Sequence, residues 1–89
     1  MMKILAVCGF GVGSSMILRM SIEKVLKDLG IEGTVENTDI TSAQGTDADF
    51  VFTSEELATQ LRGSVKGPVI AIKRYMDKEE VKEKFQEYL

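Results

Sequence analysis

"KILAVCGFGVGSSMILRM", Lys3 to Met20, decides the reading of this chain. A short apolar run ends in the only cysteine, Cys8. Three glycines and two serines follow within seven residues, and then the hydrophobic period lengthens. A continuous apolar run of this length suits a strand buried on both faces. From Ser15 to Leu29 the apolar residues Leu18, Ile22, Val25, Leu26 and Leu29 fall on one helical face. Arg19, Glu23, Lys27 and Asp28 fall elsewhere. The stretch is therefore strand, glycine-rich turn, helix, with the helix starting near Ser14 or Ser15 and Gly30 as its C-terminal stop.

Working outward, "TVENT" (Thr34–Thr38) reads as a modest strand and "DITSAQGTDA" (Asp39–Ala48) as loop chemistry. "DFVFT" (Asp49–Thr53) is a strand rich in β-formers. Thr53 and Glu56 have capping-box spacing for a short helix to about Arg62, with Leu57 and Leu61 inward. "GSVKGP" is a turn and "VIAIK" (Val69–Lys73) the last strand. Asp77 and Glu80 repeat the capping-box spacing before a helix with Val81, Phe85 and Leu89 on one face. Strands separated by helices run mostly parallel, with right-handed crossovers. The expected fold is α/β: a single small domain over residues 1–89, with a four-stranded open parallel sheet in order 2-1-3-4 flanked by helices. It is Rossmann-like or phosphatase-like in outline. In such sheets ligands bind beyond the carboxyl ends of the strands, beside strand 1. Cys8 stands there.

Composition narrows the chemistry. At 44% apolar residues the chain is globular rather than disordered. One cysteine forbids an internal disulfide and argues for a reducing compartment. With no histidine, an all-protein zinc site is not expected, and a general base or phosphoryl carrier of the imidazole kind must come from a partner. The net charge of −3 disfavours nucleic acid as main partner. No apolar run approaches the ~18 residues of a membrane span, and the first ten residues lack signal-peptide flanks. The expectation is a cytoplasmic protein without cofactor or metal.

The segment from Cys8 to Ser15 reads as an anion cradle. Its glycines let backbone approach a ligand closely, and successive N–H groups converge into a nest. The helix start adds free N–H donors and its positive dipole end, and Ser14 and Ser15 add hydroxyls. The same field is expected to lower the Cys8 pKa below its free value of ~8.5. The plainer alternative is a tight turn with a buried structural thiol. Gly9-Phe10-Gly11-Val12-Gly13 lacks dinucleotide spacing, and no lysine precedes Ser14 as in a Walker A loop. A cysteine phosphatase loop, C-x5-R, needs an arginine where Ser14 stands, and Arg19 belongs to the helix body. Nucleophile and cradle without the hydrolytic groups suit a carrier that holds a phosphoryl group and passes it on.

These residues resemble a known family. "ILAVCGFGVGSSMILRM" is similar to the start of the IIB component of the bacterial phosphoenolpyruvate-dependent sugar phosphotransferase system. The pattern C-G-x-G-x-G-S-S at Cys8–Ser15 is closest to the ascorbate-type branch, with galactitol-type and lactose-type branches as alternatives. "ADFVFTS" (Ala48–Ser54) resembles the usual third strand and the start of the next helix. The resemblance implies that Cys8 takes a phosphoryl group from a phosphohistidine of a IIA protein or domain. It would pass the group to a sugar bound by the membrane IIC component, with which the protein would associate peripherally. Gly9, Phe10, Gly11, Val12, Gly13, Ser14 and Ser15 would bind the phosphate.

Beyond the loop, Lys73 and Arg74 stand at the same sheet edge, either for partner contact or as a solvated pair. Ser54 and Glu55 border the site but more naturally start a helix. Asp39, Thr41 and Ser42, after strand 2, are candidates for its rim. For Met16 and Met20 core packing is the expectation, with a docking patch alongside Phe10 and Val12 as the alternative.

Overall fold

The computed structural model describes the backbone of residues 2–8 and 11–89 and the side chains of residues 2–8 and 16–89. Its elements are β1 (Met2–Val7), α1 (Gly11–Leu29), β2 (Gly33–Thr38), α2 (Ile40–Gln44), β3 (Phe50–Thr53), α3 (Glu55–Leu61), β4 (Val69–Ala71) and α4 (Lys78–Gln86). All four strands are parallel, in the order β2-β1-β3-β4. The expected architecture is therefore the observed one.

Strand alternation divides the core into two halves. Ile4 and Ala6 of β1, with Phe50 and Phe52 of β3, face Leu18, Ile22, Val25 and Leu26 of α1 and Val81 and Phe85 of α4. Leu5, Val7 and Val51 point the other way, against Ala43 of α2 and Ala58 and Leu61 of α3. Both faces of the sheet are thus covered, which is why β1 carries no polar alternation. Phe85 sits edge-on to Phe50 and Phe52, with ring centroids 5.0 and 5.6 Å apart. Gly30 ends α1 at a φ of 70°, the left-handed conformation a helix stop uses.

Several local expectations change. The segment from Asp39 is not all loop. Asp39 Oδ1 accepts the Ser42 N–H at 2.7 Å and starts the short helix α2. Propensity alone is too weak for a five-residue helix; its cap and the burial of Ala43 decide it. Thr53 does not cap α3. It stays in β3, fully buried, and its hydroxyl donates to the Val7 carbonyl at 2.8 Å. Ser54 is the cap, accepting the Leu57 N–H at 3.3 Å. Leu89 lies beyond α4 and is 63% exposed, because α4 stops at Gln86.

Candidate functional site

Register aligns the site. Val7 pairs with Thr38 of β2 and Thr53 of β3, so Cys8, Asp39 and Ser54 leave the sheet at one level. Thr53 pairs with Ala71, so β4 contributes Ile72 to that row. Ile72 is held there by its N–H donating to Thr53 O at 2.8 Å. This is the carboxyl edge where open parallel sheets bind ligands.

Cys8 is a free thiol, buried with only 6% of its surface exposed. Three residues later α1 begins, at Gly11 rather than at Ser14 or Ser15. Gly11 and Gly13 thus belong to a helical first turn, although glycine is a poor helix former. The long apolar face of α1 downstream supplies the stability that the first turn lacks. A helix start leaves N–H groups without intrahelical partners, so the donors expected of an extended loop are here those of a helix terminus. Gly9 and Phe10 lie outside the described residues, as do the side chains of Val12, Ser14 and Ser15. Their contribution to a phosphate site stays an expectation.

The thiol's electrostatics correct the sequence reading. Burial pushes the Cys8 pKa above its ordinary value, and a hydrogen bond from the Tyr75 hydroxyl only partly offsets this. Desolvation penalises the thiolate more than the Tyr75 donor favours it. Cys8 therefore rests as a protonated, shielded thiol.

Tyr75 is the site residue that the sequence did not reveal. It lies in the β4–α4 connection and packs against the core on the α1/α4 side. Burial, then the hydrogen bond and charge of Cys8, push its pKa up to about 12, while a hydrogen bond with Ser54 works the other way. It remains a neutral donor through the physiological range. Its backbone is anchored by Ser21 Oγ of α1, which donates to Tyr75 O at 2.5 Å. Glu80 holds the two preceding residues: its carboxylate accepts the Lys73 N–H at 2.8 Å and the Arg74 N–H at 2.9 Å. The expected Asp77–Glu80 box is thus only half made. Asp77 caps α4 by accepting the Glu79 and Glu80 N–H groups, and Glu80 turns back to the connection instead. A tyrosine after a strand carries no periodic signal, so nothing in the chain singled it out.

The other expected residues divide. Ser54 is at the site and also caps α3. Asp39 caps α2, and Ser42 is its partner. The Lys73 side chain lies 3.9 Å from Glu55, and Lys73 and Arg74 are both exposed. Met16 and Met20 are not core: with Ile17 they form an exposed apolar row on α1, Met20 being 53% exposed. Their positions fall outside the helical stripe of Leu18, Ile22 and Val25, which fills the sheet-facing side. Arg19 donates to Asn37 Oδ1 at 3.2 Å and pairs with Glu23 at 3.5 Å. Among the described residues no group of histidine, cysteine or carboxylate side chains could hold a metal.

A buried cysteine thus stands at the end of β1, three residues before a helix start. A family model described as "PTS system, Lactose/Cellobiose specific IIB subunit" matches residues 3–87. The chain belongs to the IIB family of the sugar phosphotransferase system. Among curated relatives it is 29% identical to the ascorbate-specific EIIB component of Mycoplasma pneumoniae, over 99% of this chain and 95% of that one. It is 30% identical to the component of that name from Shigella sonnei, over 83% and 75%. The counterpart in Escherichia coli O157:H7 is 29% identical over the same shares. The relatives are thus of the ascorbate type, and the IIB chain is a phosphotransferase, a phosphocarrier of a sugar transport system. No helix among the described residues is long and apolar enough to cross a membrane.

Proposed function

We propose that Cys8 of this IIB chain carries the phosphoryl group, taking it from a phosphohistidine of a IIA partner and passing it to L-ascorbate held by a membrane IIC component. The observation that carries this reading is the placement of the buried Cys8 at the carboxyl edge of β1, three residues before the start of α1. In the first step Sγ attacks phosphorus. The S–P bond forms as the N–P bond of the phosphohistidine breaks, and the departing imidazole nitrogen takes the proton that the thiol loses. In the second step a sugar hydroxyl oxygen attacks, the P–S bond breaks with its electron pair returning to sulfur, and the proton that the hydroxyl loses restores the thiol. Gly9, Phe10, Gly11, Val12, Gly13, Ser14 and Ser15 would surround the phosphoryl oxygens, with backbone N–H groups at the positive end of α1 offsetting their charge. Catalysis is then chiefly positioning and charge stabilisation.

The protonated resting thiol fits a carrier. Neutral Cys8 is shielded between cycles, and a donor imidazole relieves it of the proton only when docked. The exposed row Met16, Ile17 and Met20, on the first turns after the site, suits contact with a protein partner. The chain would work in the cytoplasm, at the membrane only through IIC. Ascorbate as the sugar is supported by the names of the relatives and by the Cys8–Ser15 pattern.

Intact-protein mass after incubation with phosphoenolpyruvate, the general phosphotransferase proteins and an ascorbate-type IIA tests the reading. One added phosphoryl group is expected on wild type and none on Cys8→Ser. It should be lost on adding IIC membranes with L-ascorbate, but not with galactitol or cellobiose. Uptake by Cys8→Ser, or none by wild type, would overturn the carrier role. Discharge by another sugar alone would overturn the ascorbate assignment.

A further inference from the structure

We propose that Thr53 is a positioning residue for Cys8: its buried hydroxyl, bonded to the Val7 carbonyl, fixes the peptide plane from which the thiol is aimed. The consequence for transfer rests on the phosphocarrier reading above; the control of the Cys8 backbone does not.

The rest of β3, Phe50, Val51 and Phe52, is apolar, and Thr53 is as fully buried as Phe52. A buried hydroxyl costs stability unless it is hydrogen-bonded. This one has its partner: it donates to Val7 O at 2.8 Å, between positions 46 residues apart. Among the described residues the other buried polar side chain is Ser21, and it too donates to a backbone carbonyl.

The contact bears on Cys8 through the peptide bond. Val7 O and the Cys8 N–H belong to one plane and point opposite ways in a trans peptide. β1 lies between β2 and β3. With Val7 O held towards β3, the Cys8 N–H is turned to the β2 side, and the Cys8 Cα is fixed at the end of the plane. The pairing of β1 ends at Val7, one residue short of the thiol. Thr53 therefore holds the last point before the chain leaves the sheet.

Thr53 is itself a firm anchor. It pairs with Val7 on one side and Ala71 on the other, and its carbonyl accepts the Ile72 N–H at 2.8 Å. A β-branched side chain has few χ1 states, so its backbone sets the direction of the donor. In-line attack by Sγ on phosphorus, and its later departure, depend on where the Cys8 Cα–Cβ bond points. Misplacing a reacting group by about 1 Å can cost roughly a hundredfold in rate. A residue that only filled the core at this place could be valine without effect on transfer.

The test compares wild type, Thr53→Val and Thr53→Ser. Valine keeps the shape and removes the donor; serine keeps the donor and removes a methyl group. Single-turnover transfer from phosphorylated IIA should be about tenfold slower in Thr53→Val at saturating donor, with the half-saturating concentration unchanged. Thr53→Ser should stay within about threefold of wild type. In proton–nitrogen correlation spectra the Cys8 amide should move in Thr53→Val and stay near its wild-type place in Thr53→Ser. A merely structural role would reduce the amount of chain that reacts, not the rate constant of the chain that does. A wild-type rate in Thr53→Val, a loss of amplitude alone, or equal slowing in both variants would overturn the role in transfer. If Thr53→Val does not fold, Thr53→Ser decides, since a loss of about tenfold despite the retained hydroxyl would overturn it. If wild type takes no phosphoryl group, the carrier reading falls, and the Cys8 amide alone decides whether Thr53 sets that backbone; an unmoved resonance in Thr53→Val would overturn it.

Discussion

The Ser21 hydroxyl of α1 donates to the backbone carbonyl of Tyr75 at 2.5 Å, joining positions 54 residues apart. Ser21 is buried on the face of α1 that otherwise carries Leu18, Ile22 and Val25. It ties the helix that follows Cys8 to the connection that carries the tyrosine. Ser21→Ala removes the donor and leaves the carbonyl unpaired. A loss of about 1–3 kcal/mol in urea unfolding is expected. A change of less than a few tenths would show that water replaces the hydroxyl without cost.

Glu80 plays the matching part from α4. Its carboxylate accepts two successive N–H groups, those of Lys73 and Arg74. Glu80→Ala should cost about 1 kcal/mol, since the site is partly open to water. Amide hydrogen exchange at residues 73 and 74 should quicken by more than that at the centre of β1. Equal quickening at both places would mean that the variant acts only through global stability.

Gly67 meets the backbone of the β3 approach. A Cβ placed there would lie 2.6 Å from Ala48 O and 2.8 Å from Asp49 O, and neither is a flexible side-chain tip. Gly67→Ala should therefore shift β4 outward and destabilise by about 1–3 kcal/mol. Gly45→Ala is the control, because its nearest neighbour would be Ser42 O at 3.9 Å. Its effect should stay within about 0.5 kcal/mol. Paired thermal melts check both.

Alkaline pH should weaken the fold. Burial raises the pKa of Cys8, and that of Tyr75 rises to about 12. Both groups are neutral when protonated, so an unfolded chain ionises first and gains the advantage. Their contribution is full below the unfolded value of ~8.5 for cysteine and is lost in stages above it, for tyrosine from ~10 up to its folded value of about 12. Denaturant midpoints should fall across that range in wild type and fall less in Cys8→Ser. Identical profiles would remove Cys8 from the titration.

The architecture was legible in the sequence because it depends on periodicity. Unbroken apolar residues in β1 meant cover on both faces, and the 3.6-residue stripe of α1 supplied part of that cover. The place of Cys8 followed from the same pattern, since a strand-turn-helix unit puts its turn at the carboxyl edge. The family resemblance lay in those residues too.

Some matters turned on distances between segments far apart in the chain. Whether Thr53 or Ser54 capped α3 depended on where β3 ceased pairing. Met16 and Met20 left the core because α1 already had enough sheet-facing residues. The sign of the Cys8 shift could not come from the glycines beside it, since desolvation is set by everything packed around the sulfur. Tyr75 is held through Ser21 at its carbonyl and Glu80 at the two preceding amides, contacts that no local pattern encodes. The sequence by itself determined the sheet, its order and the place of its cysteine, because burial periodicity and loop chemistry are local. Only the tertiary structure decided the direction in which that thiol's pKa shifts, because burial depends on what surrounds it in space.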